Sequence, residues 1–218
     1  MWIGGRLTMA VDVRILACMS DGSETQIDIR RSWRAGETVF LLGPGGVGKS
    51  SVGLELSKRL GWAAIDLDLE FCASIAEIGW FVRTKGYELY RAENLSLARR
   101  LVDATGGPIV FITSSGFLAG RQGTSDHLGA RHLVRTGYGV TLLPSLDIDI
   151  ATSIVVERQL GRGFGFERDA ETQKFRQRFE IYKDEADLLV ISAGAPSQIA
   201  TAVEQAIGRP GSATYAHP

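Results

Sequence analysis

The chain has 218 residues, 44% hydrophobic and 22% charged, which suits one soluble globular domain with a continuous buried core. Its 24 basic and 25 acidic residues nearly cancel, so no global field draws it to nucleic acid or to an anionic membrane. No apolar run approaches the ~20 residues of a membrane span, and Arg6, Asp12 and Arg14 interrupt any signal-peptide core, so a cytoplasmic location is expected.

Residues 1–36 read as an N-terminal extension. "DVRILACM" and "TQIDIRRSW", joined through the turn-like "SDGSE", form either a small hairpin or a flexible arm, and Met9 and Met19 are alternative starts. Arg30, Arg31 and Arg34 read as a solvated face. Cys18 and Cys72 lack metal spacing and read as reduced thiols.

A single domain is expected over 37–210, with a tail at 211–218. Short unbroken apolar runs at 38–42 (TVFLL), 62–65 (WAAI), 108–112 (PIVFI), 140–143 (VTLL) and 188–192 (LLVIS) predict strands buried on both faces. Helical patterns lie between them. Val52, Leu56 and Leu60 recur every fourth residue with Gly61 as C-cap, and Phe175, Phe179, Tyr182 and Ala186 repeat the spacing. The alternation predicts an α/β fold, a three-layer sandwich around a mainly parallel five-stranded sheet, with ligands at the carboxyl ends of the strands.

The first run enters "LLGPGGVGKSS", whose Gly43-Pro44-Gly45-Gly46-Val47-Gly48-Lys49-Ser50 fits G-x-x-x-x-G-K-[ST]. Glycines let backbone N–H groups turn inward around phosphates, and the N-terminus of the following helix adds positive partial charge. Lys49 is expected at the outer phosphates, Ser50 at Mg²⁺, and Ser51 in the same nucleotide site. ATP and Mg²⁺ are therefore the expected cofactors.

Hydrolysis is disfavoured. The third run ends "VFITSSG" without the acid that orients water, no N-K-x-D motif exists, and "DATG" precedes a strand instead of following one. The second run instead ends "AAIDLDLE", where Asp66 and Asp68 alternate like strand-end residues. One carboxylate at the metal and one at an acceptor hydroxyl is what phosphoryl transfer to an alcohol requires.

With these motifs in place the chain resembles the shikimate kinase family from about residue 38 to 207. The matching stretches are "GPGGVGKSS", "IDLDLE", "GYELYRAE", "ITSSG", "ERQLGRGFGFERD" and "RFEIYKDEAD". The resemblance implies a P-loop fold like that of nucleoside-monophosphate kinases, and a place in aromatic amino-acid biosynthesis. It implies Asp66 on the Mg²⁺ side and Asp68 at the acceptor hydroxyl. Arg91 and Arg178 would clamp the acceptor carboxylate, Arg162 would be the lid cation over the phosphates, and Arg158 would lie against adenine. The loop at 193–196 (AGAP), with Pro196, would line the adenine pocket.

Two departures concern the acceptor. The family's A-T-G-G-G becomes Ile112-Thr113-Ser114-Ser115-Gly116, which puts two serines beside Gly116 in the substrate floor. Tyr87 replaces a glutamate after Gly86, and Asn94 stands where a further acid is common. Three readings follow: a kinase of shikimate, the same machinery acting on another polyol or hydroxy acid such as gluconate, or a non-catalytic nucleotide-binding module that docks through residues 1–36. A small molecule is the expected partner, with neither nucleic acid nor membrane. A monomer is expected, with a dimer as the alternative.

Overall fold

A computed structural model describes residues 14–20, 23–163 and 165–208; of the segments read above, residues 1–13 and the tail at 211–218 lie outside it. Among the described residues no helix is long and apolar enough to cross a membrane.

The central strand β3 (Val39–Leu42) is completely buried, because four consecutive apolar residues face protein on both sides. Each such side chain contributes roughly 1.5–3 kcal/mol of hydrophobic stabilisation. Parallel to it run β5 (Val110–Ile112) on one side and β6 (Tyr138–Leu143) on the other. The outer parallel neighbours are β4 (Ala64–Asp66) and β7 (Leu188–Ile191).

Alternation along the strands fills two cores. Val39, Leu41, Val110 and Ile112 meet Val52 and Leu56 of α1 (Lys49–Leu60) and Val203 of α8 (Pro196–Ile207). Phe40, Leu42 and Phe111 meet Phe71 of α2 (Leu67–Ser74), Tyr90 of α4 (Tyr87–Asp103) and Leu133 of α5 (Ser125–Arg135). Three layers result, as period-two strands between two helical faces require. The helix α3 (Ile78–Lys85) extends the second face. The helices α6 (Ile148–Leu160) and α7 (Arg168–Asp184) pack on the first, and Ala186 lies beyond the end of α7.

The five parallel strands expected from the sequence are joined by two more. Strands β1 (Arg14–Ser20) and β2 (Ser23–Ile29) form an antiparallel hairpin, and β2 pairs with β7. The sheet order is β1-β2-β7-β6-β3-β5-β4. The expectation that Arg31 belongs to a solvated face is corrected. Its guanidinium donates to Asp187 at 2.9 Å, to Glu37 at 2.9 Å and to the carbonyl of Gly137 at 2.7 Å, and it stacks over Tyr138. Carboxylates from two segments hold this arginine, so it clasps the extension to the sheet.

Candidate active site

The loop 43–48 leaves the carboxyl end of β3. Gly46 has φ +82° and Gly48, the N-cap of α1, has φ +99°, the left-handed region that glycine adopts without a Cβ penalty. At Gly46 a Cβ would also stand 2.8 Å from Val155, so α6 presses on the loop. Val47 is buried and anchors the loop in the core. Lys49 is 8% exposed, and its Nζ donates to the carbonyls of Gly43 (2.8 Å) and Pro44 (3.0 Å). Burial disfavours its charge more than Asp68 and Asp66 favour it, which lowers its pKa to about 8.

At the end of β4 the two acids meet this loop, though not as alternating strand residues. Asp66 is the N-cap of α2 and accepts the Asp68 N–H at 3.1 Å, so Asp68 belongs to the first helical turn. An aspartate that caps its own chain two residues on turns the strand into a helix, which period-two reasoning does not anticipate. The other Asp66 oxygen accepts from Ser50 Oγ at 2.6 Å. Asp68 is held above the ordinary carboxylate range by burial, against the pull of Lys49, and its Oδ1 is buried without a hydrogen-bond partner.

Next to the acids, Arg178 of α7 donates from Nη1 to Ser115 Oγ (3.1 Å) and from Nη2 to the Tyr87 hydroxyl (3.3 Å). Arg91 of α4 donates from Nη1 to the carbonyl of Gly116 (3.0 Å), so both arginines border Gly116. Arg91 is the more enclosed: its side chain is 8% exposed, and its Nε donates to Asp126 of α5 at 2.6 Å. The two serines differ as well. Ser115 faces Arg178, whereas Ser114 is 3% exposed and accepts from Asn94 Nδ2 at 2.7 Å.

Between α6 and α7 lies the segment read above as a lid, with Arg162 exposed and near enough to act on the charge of Lys49. Arg158, one turn earlier, donates to the carbonyl of Ala193 at 3.0 Å, and Pro196 opens α8 directly after that loop. Lys49, Ser50, Ser51, Asp66, Asp68, Ser115 and Arg162 therefore line one cleft with Gly45, Gly46 and Gly48. Arg158 and Pro196 stand by the loop after β7, and Arg91 and Ser114 line a separate small cavity with Asn94, Gly116 and Asp126.

Three contributors escaped sequence reasoning. Gln159 is 7% exposed, and its side chain presses on Gly45 and Gly46. Tyr90 acts on Asp68 from α4. Asp126 holds Arg91, and an acid opening a helix in "SDHLGAR" was the signal available for it.

A family model described as shikimate kinase matches residues 45–208. The shikimate kinase of Halorhodospira halophila is 35% identical over 103 residues, which is 47% of this chain and 56% of that relative. That of Pseudoalteromonas atlantica is 31% identical over 156 residues, 70% of this chain and 85% of the relative. The chain thus spans about half the length of the first relative and most of the second. A solved shikimate kinase from Acinetobacter baumannii in complex with shikimate has a TM-score of 0.62 at 24% identity, over 78% of this chain and 91% of the other. That last likeness is one of fold.

Proposed function

This chain belongs to the shikimate kinase family, and on that premise we propose that it is an ATP-dependent kinase for a ring hydroxyl of a small carboxylated alcohol. Family membership favours shikimate, converted to shikimate 3-phosphate. The observation that carries the reading is Asp68, a half-buried carboxylate with one oxygen buried and unbonded, on which the charges of Lys49 and Arg178 both act.

In this reading the loop 43–48 and Lys49 receive the phosphates, with Arg158 and Pro196 near the base. Mg²⁺ is the required metal. Ser50 and Asp66 offer two oxygen donors 2.6 Å apart, and no cage of three or more His, Cys, Asp or Glu gathers among the described residues. Such a sparse oxygen site fits Mg²⁺, whose shell phosphates and water complete. When bound, the metal neutralises charge on the outer phosphates.

Asp68 orients the acceptor hydroxyl and receives its proton as the hydroxyl oxygen attacks the γ-phosphorus. The bond from that phosphorus to the β–γ bridging oxygen breaks, and ADP departs. A carboxylate destabilised by burial is a stronger base, which suits this role. Lys49 and Arg162 stabilise charge on the transferring group, and Arg178, with Ser115 and Gly116 beside it, holds the acceptor carboxylate. Arg91 is the second cation of that floor, with Ser114 beneath.

A coupled assay for ADP release tests the reading: ATP- and shikimate-dependent turnover supports it. No turnover on shikimate, with turnover on gluconate or another polyol acid, replaces the acceptor. With Arg91 held by Asp126, Arg178 is the more accessible cation for the carboxylate of either acceptor. Nucleotide binding without transfer to any acceptor would leave the non-catalytic reading.

A further inference from the structure

The hairpin β1–β2 lies outside residues 45–208, yet it reaches the nucleotide end of the site. The last backbone rung between β2 and β7 pairs Gln26 with Ile191. One position beyond, where backbone pairing ends, the Thr25 and Ser192 hydroxyls meet at 2.8 Å. Both residues are buried, 4% and 5% exposed. Ser192 Oγ in turn accepts the Gly194 N–H at 3.1 Å, and Arg158 donates to the carbonyl between them, Ala193, at 3.0 Å. The turn at 193–194 is therefore held from two sides, by the hairpin through Ser192 and by the end of α6 through Arg158.

We propose that the hairpin is a positioning element of the nucleotide site, in which Thr25 fixes Ser192 and thereby the loop 193–196 against which the nucleotide base packs. The inference rests on the reading of that loop as the adenine wall. Its chemistry is local. A hydroxyl that bonds a second hydroxyl has fewer rotamers free, so the Ser192 acceptor stays aimed at Gly194. Without Thr25 the serine can rotate away, and the turn gains conformations that the base must select against. The phosphate loop leaves β3, two strands from β7, and the Thr25–Ser192 bond is not among its own contacts.

Thr25→Val keeps the shape of the side chain and removes its hydroxyl, so it separates bonding from packing. Calorimetric titration of the full chain with ADP and with inorganic tripolyphosphate reads the base and the phosphates apart. For Thr25→Val and Ser192→Ala the expected result is an ADP Kd raised about three- to tenfold, with tripolyphosphate affinity unchanged. Thr25→Ser should restore the parent value. Equal ADP affinity in Thr25→Val and parent overturns this proposal alone, as does an equal loss of ADP and tripolyphosphate affinity in both variants. A parent protein that binds ADP no better than inorganic pyrophosphate, which has the same number of phosphates, overturns the adenine-wall reading, and the proposal with it.

Discussion

Arg91 and Asp126 are joined at 2.6 Å across α4 and α5, with side chains only 8% and 16% exposed. Burial pushes the Asp126 carboxyl up, but bonds from Thr124 and Arg91 outweigh it and hold the pKa below the ordinary value. The pair thus stabilises the fold at neutral pH, and that contribution is lost as pH falls through the depressed pKa. Asp126→Ala strands an enclosed guanidinium and should cost about 2–3 kcal/mol in urea unfolding at pH 7. The difference from the parent should shrink as pH falls below the ordinary aspartate value. A loss under about 0.5 kcal/mol at pH 7 would mean that water already satisfies Arg91.

Among the described residues Arg178 makes two long bonds, to the neutral hydroxyls of Ser115 and Tyr87, which a carboxylate can displace. Arg178→Ala should therefore raise acceptor KM by about 100-fold and change the ADP Kd less than twofold. Steady-state kinetics and titration on the same preparation separate the two. An equal rise in both constants would move Arg178 out of the acceptor site and into the nucleotide site.

The parallel strands were legible because burial on both faces demands unbroken apolar runs, and Val39–Leu42 supplies one. The phosphate loop was legible because its glycines and lysine are fixed in spacing by backbone geometry. What stayed hidden depends on which way a side chain turns. Ser114 and Ser115 are neighbours in sequence, yet one bonds Asn94 in the interior and the other faces Arg178. The Arg91–Asp126 pair depends on α5 packing against α4, and no local pattern announces a bond spanning 35 residues. Asp66 and Asp68 do stand at the end of a strand beside the loop, as expected, but one caps and the other opens a helix instead of alternating along the strand.

Asp68 has a buried, unpartnered oxygen and a raised pKa, which are what the base proposed above requires. Asp68→Asn keeps the shape and removes the proton acceptor. It should lower kcat by roughly 10²–10⁴-fold while leaving the ADP Kd within about twofold. In the parent, the acidic limb of kcat should lie above the ordinary aspartate range, and this limb should vanish in the variant. Unchanged kcat would assign the proton to solvent.

Lys49 couples nucleotide binding to protons. Its pKa of about 8, against an ordinary 10.5, reflects burial that its neighbouring carboxylates only partly offset. Above pH 8 the ligand-free protein therefore holds Lys49 mostly neutral, while the unfolded chain still binds the proton. Stability from this group accordingly rises between about pH 8 and 10.5. Phosphates entering the loop favour the ammonium and move its pKa back up. ADP binding at pH 9, where the nucleotide is fully ionised, should consequently take up about one proton, and clearly less at about pH 7.5, where Lys49 is already mostly charged. Titration calorimetry in two buffers of different ionisation enthalpy reads this as a difference in apparent binding enthalpy. Lys49→Met, which should also reduce turnover at least about 100-fold, should abolish the buffer dependence at pH 9. Equal enthalpies in both buffers for the parent at pH 9 would show that Lys49 is already charged before the phosphates arrive.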